Sequence, residues 1–225
     1  RLAARQMSLH ALTTQALPGV KLEDIFLCDN FYTPHLEPGA DFWLCEMVEE
    51  LAQLVDTFGT PMISGKDSSA GSVETPEGTI SVPPAVYISA LGKVPDAARL
   101  LPNGWQAAGN ALAFIGPRCT SLAGPVAPRV LATQAHAVEA LDTSDHLEFL
   151  NAVSNLPDGL LQSGVPVGPG GMLAAFAKGS FATGFGVELQ DVPDDTHQFL
   201  AMEHRCGMLV EVSMNRLAEL ADLPG

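Results

Sequence analysis

The stretch from Phe42 to Phe58 limits the fold more than any other part of the sequence. Its apolar residues recur at the spacing of one helix face, and most of its acidic residues fall on the other face. The apolar set is Leu44, Met47, Val48, Leu51, Leu54 and Val55, and the acidic set is Glu46, Glu49, Glu50 and Asp56. Gly59 ends this pattern, and Pro61-Met62-Ile63 predicts a short strand that leads into a polar loop, Gly65 to Ser68. A glycine-containing polar loop in that position is a usual place for a ligand site.

Helices and strands are predicted along the rest of the chain in an irregular order. A first helix ends at Pro18-Gly19, and Ile25 to Cys28 predicts a buried strand that ends in a polar loop, Asp29 to Gly39. Strands at 72–74 and 79–82 are predicted to form a hairpin around Pro76-Glu77-Gly78. The other predicted strands are 85–92, 111–116, 184–189 and 208–212, and the other predicted helices are 129–141, 144–155, 172–181 and 215–223. Ser144 or Asp145 is expected to cap the helix at 144–155. Because no strict strand–helix–strand rhythm occurs, the pattern favours an α+β fold.

Proline and glycine interrupt every periodic pattern between Lys93 and Gly109. We therefore predict a boundary near Pro95 to Leu101, with one domain at residues 1–95 and a second at residues 96–225. The sequence starts at Arg1, without an initiator methionine and inside a helical pattern, so we expect a fragment of a longer polypeptide.

The composition argues against several classes of function. Of the 225 residues, 47% are apolar and 16% are charged, which is enough to build a substantial core. The formal charge of −15 argues against binding to nucleic acid or to an anionic membrane surface, because both need clustered Lys and Arg. No apolar run reaches the ~20 residues of a membrane span, so we expect a soluble cytoplasmic protein. The four cysteines form no C-x-x-C pair and the six histidines show no metal-ligand spacing, so neither a disulfide framework nor a zinc site is indicated.

Two glycine segments are candidate anion sites. Gly65-Lys66-Asp67-Ser68 has Thr60 in place of the first glycine of a P-loop and Asp67 where a P-loop has Ser or Thr. It is either an ordinary polar turn or a cradle in which Gly, Lys, Asp and Ser contact phosphate and Mg²⁺. Gly168-Pro169-Gly170-Gly171 precedes a predicted helix, so it either presents backbone N–H groups to an anion or is a turn packed under a sheet.

A series of segments carries a family resemblance. They are Cys28-Asp29-Asn30-Phe31, the helix at 42–58, Pro61 to Ser68, Val82-Pro83-Pro84, Ile88 to Gly92, Asn110 to Gly116, Gly170 to Ala175 and Phe199 to Val212. In this order and spacing they resemble the second synthetase half of the phosphoribosylformylglycinamidine synthase family, over nearly the whole chain. The resemblance implies the α+β fold of aminoimidazole ribonucleotide synthetase, with an N-terminal-type domain truncated at its start and then a C-terminal-type domain.

The resemblance also implies an ATP-dependent ligase of purine biosynthesis. Enzymes of that family convert formylglycinamide ribonucleotide, ATP and glutamine-derived ammonia into the amidine, ADP and phosphate. The amide oxygen is phosphorylated and ammonia then displaces the phosphate, while Mg²⁺ neutralises phosphate charge. By position, Asp29 and Gly65 resemble nucleotide contacts, and Ser68 and Lys66 resemble contacts on the substrate side. Lys66 stands where short family members have a metal-binding Asn, and a protonated Lys cannot bind Mg²⁺, so the metal role is assigned to Asp67.

Some segments depart from the family pattern. Val165 to Gly171 replaces a His-Asp-x-x-Asp-Gly-Gly run and lacks both carboxylates, and two upstream metal ligands, Glu and Asn, fall at Gln6 and His10. The general base and most ATP and Mg²⁺ contacts of the family lie in the first synthetase half, and the nucleophilic Cys lies in a glutaminase domain or subunit. We therefore assign no catalytic residue to this chain, and we expect the first half and the glutaminase as its partners.

The leading hypothesis is that the chain is part of this amidine-forming ligase and has no turnover alone. A second is a noncatalytic scaffold or interaction half in which residues 65–68 are structural. A third is another ATP-using member of the superfamily, such as aminoimidazole ribonucleotide synthetase, thiamine monophosphate kinase or a selenophosphate-synthetase-like protein, although their acidic glycine-rich N-terminal motifs do not occur here. A truncated sheet edge on an acidic, apolar-rich chain also leads us to expect self-association as a homodimer.

Overall fold

The computed structural model describes residues 1–35, 41–119, 126, 142–190, 196–204 and 206–223. The α-helices in this part of the chain are α1 (Leu2–Ala16), α2 (Asp41–Phe58), α3 (Thr143–Ser154), α4 (Gly171–Thr183) and α5 (Thr196–Ala201). The strands are β1 (Ile25–Tyr32), β2 (Met62–Ser68), β3 (Ser72–Thr75), β4 (Gly78–Ser81), β5 (Ala85–Gly92), β6 (Ala111–Ile115), β7 (Leu161–Pro166) and β8 (Met208–Val212). Short 3-10 helices lie at Leu22–Asp24, Ala97–Arg99 and Met214–Leu220. Among these residues, no helix combines the length and the apolar character needed to cross a membrane.

The first sheet is mixed and has the strand order β2-β1-β5. β1 runs parallel to β2 and antiparallel to β5, so its backbone is hydrogen-bonded on both sides. This pairing carries β1 through Asp29 to Tyr32, so the predicted polar loop beginning at Asp29 is wrong. β2 likewise continues to Ser68, and Gly65 to Ser68 is an edge strand and not a loop. Backbone hydrogen bonds to β1 hold β2 extended although its side chains are polar.

The second sheet is antiparallel and has the order β6-β8-β7. β6 and β8 confirm the strands predicted at 111–116 and 208–212, while β7 was not predicted. All five residues of the central strand β8 are buried, including the charged Glu211. The separate hairpin β3–β4 confirms the turn predicted around Pro76-Glu77-Gly78.

One hydrophobic core joins the two sheets. It includes Leu9 and Leu12 from α1, Ile25 and Leu27 from β1, and Phe149, Leu150, Met208 and Val210 from the C-terminal part. α1 packs on β5 and also on α3 and β7. It is therefore the element that connects the sheets, and burial is continuous across the boundary predicted between residues 95 and 96. The division into two domains stays a prediction.

Helix α2 confirms the amphipathic helix predicted at 42–58. Its buried apolar residues are Met47, Leu51, Leu54 and Phe58. Glu50 was predicted on the outer face but is only 3% exposed, and its carboxylate forms an ion pair with Arg5 of α1. Arg1 reaches Glu49 of α2 from the same side of α1, with an N–O distance of 2.6 Å. Glu50 is therefore buried because α1 supplies a cation at the helix–helix boundary, which the α2 sequence alone does not reveal.

Three other local predictions are wrong or displaced. Asp142 caps α3 in place of Ser144 or Asp145, because its side chain accepts the Ser144 N–H at 2.8 Å. Residues 184–189 form no strand, since their alternating apolar pattern finds no hydrogen-bonded neighbour in the described sheet. The helix predicted at 215–223 is a 3-10 helix at Met214–Leu220. The helix predicted at 129–141 lies outside the described residues, and α5 was not predicted.

Candidate functional site

Gly65 to Ser68, which the sequence predicted as one cradle, lie on two faces of the sheet because side chains alternate along β2. Gly65 pairs with Asp29 and Asp67 pairs with Phe31, on the face of the sheet that packs on α2. Lys66 and Ser68 therefore point to the opposite, open face, because successive residues of a strand face opposite sides. β2 is nevertheless the edge of the sheet, so a ligand that lies along this edge can reach both faces.

Asp29 of β1 and Gly65 of β2 lie side by side on the face that packs on α2. A Cβ atom on residue 65 would lie 2.0 Å from the Asp29 carboxylate oxygen Oδ1, so only glycine leaves room for this carboxylate. Burial raises the pKa of Asp29 above its ordinary value, and a hydrogen bond from the backbone N–H of Lys66 partly offsets the effect. The Asp29 carboxylate thus lies against the β2 backbone at Gly65 and Lys66.

A small polar cluster occupies the open face. Lys66 Nζ donates a hydrogen bond to Ser68 Oγ at 2.6 Å, and Ser68 Oγ donates to Asn30 Oδ1 at 3.3 Å. These three side chains come from two neighbouring strands, and they combine one positive charge with a hydroxyl and an amide. Such a set can hold a phosphate or the polar groups of a small substrate.

Asp67 is exposed, as are Gly65 and Lys66. Its carboxylate accepts a hydrogen bond from the Ser69 hydroxyl, and this bond is the main reason why the pKa of Asp67 is lowered. Among the described residues, no group of three or more His, Cys, Asp or Glu side chains could hold a metal ion. A single ionised carboxylate fits a Mg²⁺ ion that takes its remaining ligands from phosphate oxygens and water, which is a common arrangement for this metal. It does not fit a metal site built from protein ligands alone.

A cleft of about 290 Å³ opens beside Asp29 between α2 and the sheet. Val48, Val55 and Met62 form apolar walls, and Asp56 of α2 adds a second carboxylate on the rim. This cleft borders β2, because Met62 of β2 lines it and Asp29 lies beside Gly65. The site is therefore apolar on the side of α2 and polar along β2.

The second glycine segment, Gly168 to Gly171, lies at a different place in the fold. A Cβ atom on residue 168 would lie 2.9 Å from the His10 ring, so α1 covers this turn directly. Gln6, the other position where the family resemblance suggested a metal ligand, is buried at 8% exposure on α1. Of the two interpretations of this segment, the packed turn agrees with the structure.

Sequence reasoning missed three residues that now belong to the description of these sites. Asn30 joins the Lys66 and Ser68 cluster through the parallel pairing of β1 with β2. Asp56 reaches the cleft from the outer side of the α2 pattern. Glu203 hydrogen-bonds to the glycine turn at Gly170. Strand pairing could have indicated Asn30, but the other two depend on contacts between distant segments.

Known proteins with distant sequence similarity to this chain agree with the family resemblance. The chain is 24% identical over 228 residues to the phosphoribosylformylglycinamidine synthase subunit PurL of Streptomyces avermitilis, covering 99% of this chain and 30% of that protein. It is also 24% identical over 163 residues to PurL of Renibacterium salmoninarum, covering 72% of this chain and 21% of that protein. The chain thus spans less than a third of the length of these curated relatives. No protein-family model matches it.

Solved structures match the fold over nearly the whole chain. T. maritima PurL complexed with ATP has a TM-score of 0.58 at 12% identity, covering 95% of this chain and 34% of that one. E. coli HypE has a TM-score of 0.66 at 14% identity, covering 96% of this chain and 67% of that one. The chain has the aminoimidazole ribonucleotide synthetase-like fold. The α+β class predicted from the sequence is therefore confirmed.

Proposed function

We propose that the chain is part of an ATP-dependent ligase of the phosphoribosylformylglycinamidine synthase type. Such an enzyme joins ammonia from glutamine to formylglycinamide ribonucleotide, with ATP as the phosphoryl donor. The observation that carries this proposal is the Asp29 carboxylate beside Gly65, next to the Lys66–Ser68–Asn30 cluster, on an open strand edge. The sequence similarity to PurL subunits across the same segments supports it.

The β2 edge would contribute binding and orientation and not acid–base catalysis. Lys66 would neutralise a phosphate on the open face, and Ser68 would hold the substrate through its hydroxyl, which Asn30 orients. Gly65 would allow a nucleotide to approach the backbone, and Asp67 would supply one oxygen ligand to Mg²⁺. When bound, Mg²⁺ would neutralise the phosphate charge that develops during transfer. We expect the remaining groups from the first synthetase half and a glutaminase domain or subunit, so the isolated chain has no turnover.

Calorimetric titration with ADP or ATP, with and without Mg²⁺, tests the nucleotide part of the proposal. We expect Mg²⁺-dependent binding that Asp67→Ala weakens by about tenfold, or ~1.4 kcal/mol. Glu77→Ala is the matched control, because it removes another exposed acidic residue, from the β3–β4 turn. A nucleotide affinity that changes neither with Mg²⁺ nor with Asp67→Ala would contradict the metal role assigned to Asp67.

A phosphate-release assay tests the prediction that the isolated chain is inactive. The chain is given formylglycinamide ribonucleotide, ATP, Mg²⁺ and ammonium, and phosphate is measured with and without the ribonucleotide. We expect equal rates in both cases. A rate that depends on the ribonucleotide would show that the chain contains the catalytic groups that we assign to the first synthetase half.

A noncatalytic interaction half is the second candidate, and the open face of the first sheet favours it. Three apolar side chains on this face remain exposed: Phe26 at 39%, Tyr87 at 59% and Leu91 at 53%. This face could pack on the first synthetase half or on a second copy of the chain, as a homodimer. Complete absence of Mg²⁺-dependent nucleotide binding, together with a dimer in sedimentation experiments, would favour this candidate.

Another ATP-using member of the superfamily is the third candidate, because the TM-score to E. coli HypE exceeds that to T. maritima PurL. The sequence matches to PurL subunits favour the ligase. We infer a cytoplasmic location and no role in binding nucleic acid or membranes, consistent with the charge of −15. Binding of formylglycinamide ribonucleotide, sensitive to Ser68→Ala, would distinguish the ligase from a HypE-like protein.

A further inference from the structure

The turn that follows β2 contains a strained residue. Ala70 has a φ of 70°, and Cys206 is the other non-glycine residue with a positive φ in the described part of the chain. This left-handed conformation costs free energy in every residue that carries a Cβ atom. Asn and Asp offset part of the cost through a local side-chain hydrogen bond, which an alanine cannot make. Contacts with other segments must therefore hold Ala70 in this conformation.

Backbone hydrogen bonds to the end of β1 supply these contacts. The Thr33 N–H donates to Ser68 O at 3.2 Å, and the Gly71 N–H donates to Thr33 O at 2.9 Å. Between these two bonds, the Ala70 N–H donates to Pro34 O at 3.4 Å. The turn is thus tied to residues 33 and 34 on both sides of Ala70, and the position of its backbone is fixed.

The fixed turn places the Ser69 hydroxyl on the Asp67 carboxylate. Ser69 Oγ donates a hydrogen bond to Asp67 Oδ2. Both residues are exposed, so water competes for each partner of this bond. A flexible pair would gain little from such a bond, because ordering the two side chains costs entropy. Here the backbone is already ordered, so the Ser69 hydroxyl is pre-organised toward the carboxylate.

The charge of Asp67 is not neutralised by a cation of the chain. Lys66, its neighbour, donates from Nζ to Ser68 Oγ at 2.6 Å on the opposite face of the sheet. Within the residues that the structure describes, the Asp67 carboxylate forms no ion pair. The carboxylate is therefore available to a metal ion. Carboxylates that bind a metal are in turn held by hydrogen bonds, and these bonds set the direction of the ligating oxygen.

We propose that Ser69 is a positioning residue for Asp67 and that the strained turn at Ala70 holds it there. The Ser69 hydroxyl holds Oδ2, so Oδ1 is the oxygen presented to a Mg²⁺ ion that carries nucleotide phosphates. This role rests on the metal role proposed for Asp67 above. It also accounts for a strained alanine beside the site, because a relaxed turn would not fix the Ser69 hydroxyl.

A double-mutant cycle on the whole chain tests the proposal. ADP is titrated by calorimetry, with and without Mg²⁺, into the parent, Ser69→Ala, Asp67→Ala and the double variant. Ser69→Ala should weaken the Mg²⁺-dependent affinity by about threefold, less than Asp67→Ala, because the carboxylate loses one hydrogen bond but remains. The double variant should lose no more than Asp67→Ala alone, since Ser69 acts only through Asp67. The affinity without Mg²⁺ should be the same in Ser69→Ala and the parent.

Four further variants separate positioning from a general effect on the fold. Ser69→Thr keeps the hydroxyl and should bind ADP and Mg²⁺ like the parent, whereas Ser81→Ala removes an exposed hydroxyl from β4 and should change nothing. Ala70→Gly adopts the same φ without strain and should retain the affinity. Ala70→Val should lose as much affinity as Ser69→Ala, because a β-branched residue resists a positive φ and moves the turn. Urea midpoints show that each variant is folded.

Three results would count against the proposal, and they differ from one another. If Asp67→Ala weakens Mg²⁺-dependent binding and Ser69→Ala does not, the role of Ser69 is refuted while the metal role of Asp67 stands. If the two losses multiply to about thirtyfold in the double variant, Ser69 acts independently of Asp67 and does not position it. If Asp67→Ala changes nothing, the metal role of Asp67 and the positioning role of Ser69 are refuted together.

Discussion

Substitution of Glu211 should lower the free energy of unfolding more than substitution of an exposed acidic residue. The Glu211 carboxylate is fully buried and accepts four hydrogen bonds, from the N–H groups of Gln106 and Ala107, from Asn110 Nδ2 and from Ser163 Oγ, at 2.6 to 3.0 Å. Although burial acts to raise the pKa of Glu211, these bonds lower it below its ordinary value. The carboxylate therefore fastens the segment at 106–110 to the sheet in its ionised form.

The cost of removing this carboxylate follows from what happens to its four donors. In Glu211→Ala, water can reach the N–H groups of the exposed residues Gln106 and Ala107, while Ser163 and Asn110 lose a buried acceptor. At ~1–3 kcal/mol for each buried donor left unpaired, we expect a loss of about 3–5 kcal/mol. In Glu211→Gln, the Ser163 hydroxyl can rotate to accept from the new amide, so only the bond from Gln106 and the charge assistance are lost. We expect about 2–3 kcal/mol for this variant.

Urea denaturation followed by tryptophan fluorescence measures both losses. The chain has two tryptophans, and Trp43→Phe removes the exposed one, so that the buried Trp105 beside Gln106 reports unfolding. Each Glu211 variant should lower the midpoint without changing the m-value. The exposed Glu188 supplies the control, and Glu188→Gln should stay within ~0.5 kcal/mol of the parent.

The lowered pKa of Glu211 also predicts how the stability difference between the parent and Glu211→Gln changes with pH. A carboxylate whose folded pKa is lowered stabilises the fold above its unfolded pKa of about 4.5, and this contribution disappears as pH falls. The difference between the parent and Glu211→Gln should therefore be largest near neutral pH and should shrink below about pH 4.5. A Glu211→Gln chain as stable as the parent at pH 7, or a difference that grows as pH falls, would refute this account of the network.

Other predictions concern single positions. Gly65→Ala should displace Asp29, destabilise the chain by ~1 kcal/mol in calorimetry and weaken nucleotide binding. The double variant Gly65→Ala with Asp29→Ala should recover the lost stability. Gly186→Ala, where a Cβ atom meets open space, should show no loss. Burial, aided by the charge of a nearby arginine, lowers the pKa of His204, so thermal melts should show stability falling as pH drops below about 6.5, and His204→Gln should flatten that slope. Cys206 has a φ of 68°, so Cys206→Gly should be no less stable in urea than Cys206→Ala despite its smaller side chain, because glycine relieves ~1 kcal/mol of backbone strain.

The sequence by itself determined the elements that depend on local periodicity and turn chemistry. The 3.6-residue pattern predicted α2 to within one residue of its start, Pro76-Glu77-Gly78 predicted the β3–β4 hairpin, and the alternating or continuous apolar runs predicted β5, β6 and β8. The order of these segments was also sufficient to identify the α+β fold. All of these signals lie within about 20 adjacent residues, where propensity and patterning act directly.

Only the tertiary structure decided what depends on a partner distant in sequence. Pairing with β1 turned the expected loop at Gly65 to Ser68 into an edge strand and placed Lys66 and Asp67 on opposite faces. The burial of Glu50 required Arg5 from another helix, and Glu203 could be assigned to the α4 N-terminus only after the chain brought it there. A segment such as 184–189 has the pattern of a strand, yet a strand forms only where a neighbour supplies hydrogen bonds. The residue types in this chain therefore indicate which chemistry is available, and long-range pairing decides which residues can act together, because each buried polar group needs a partner that local sequence does not specify.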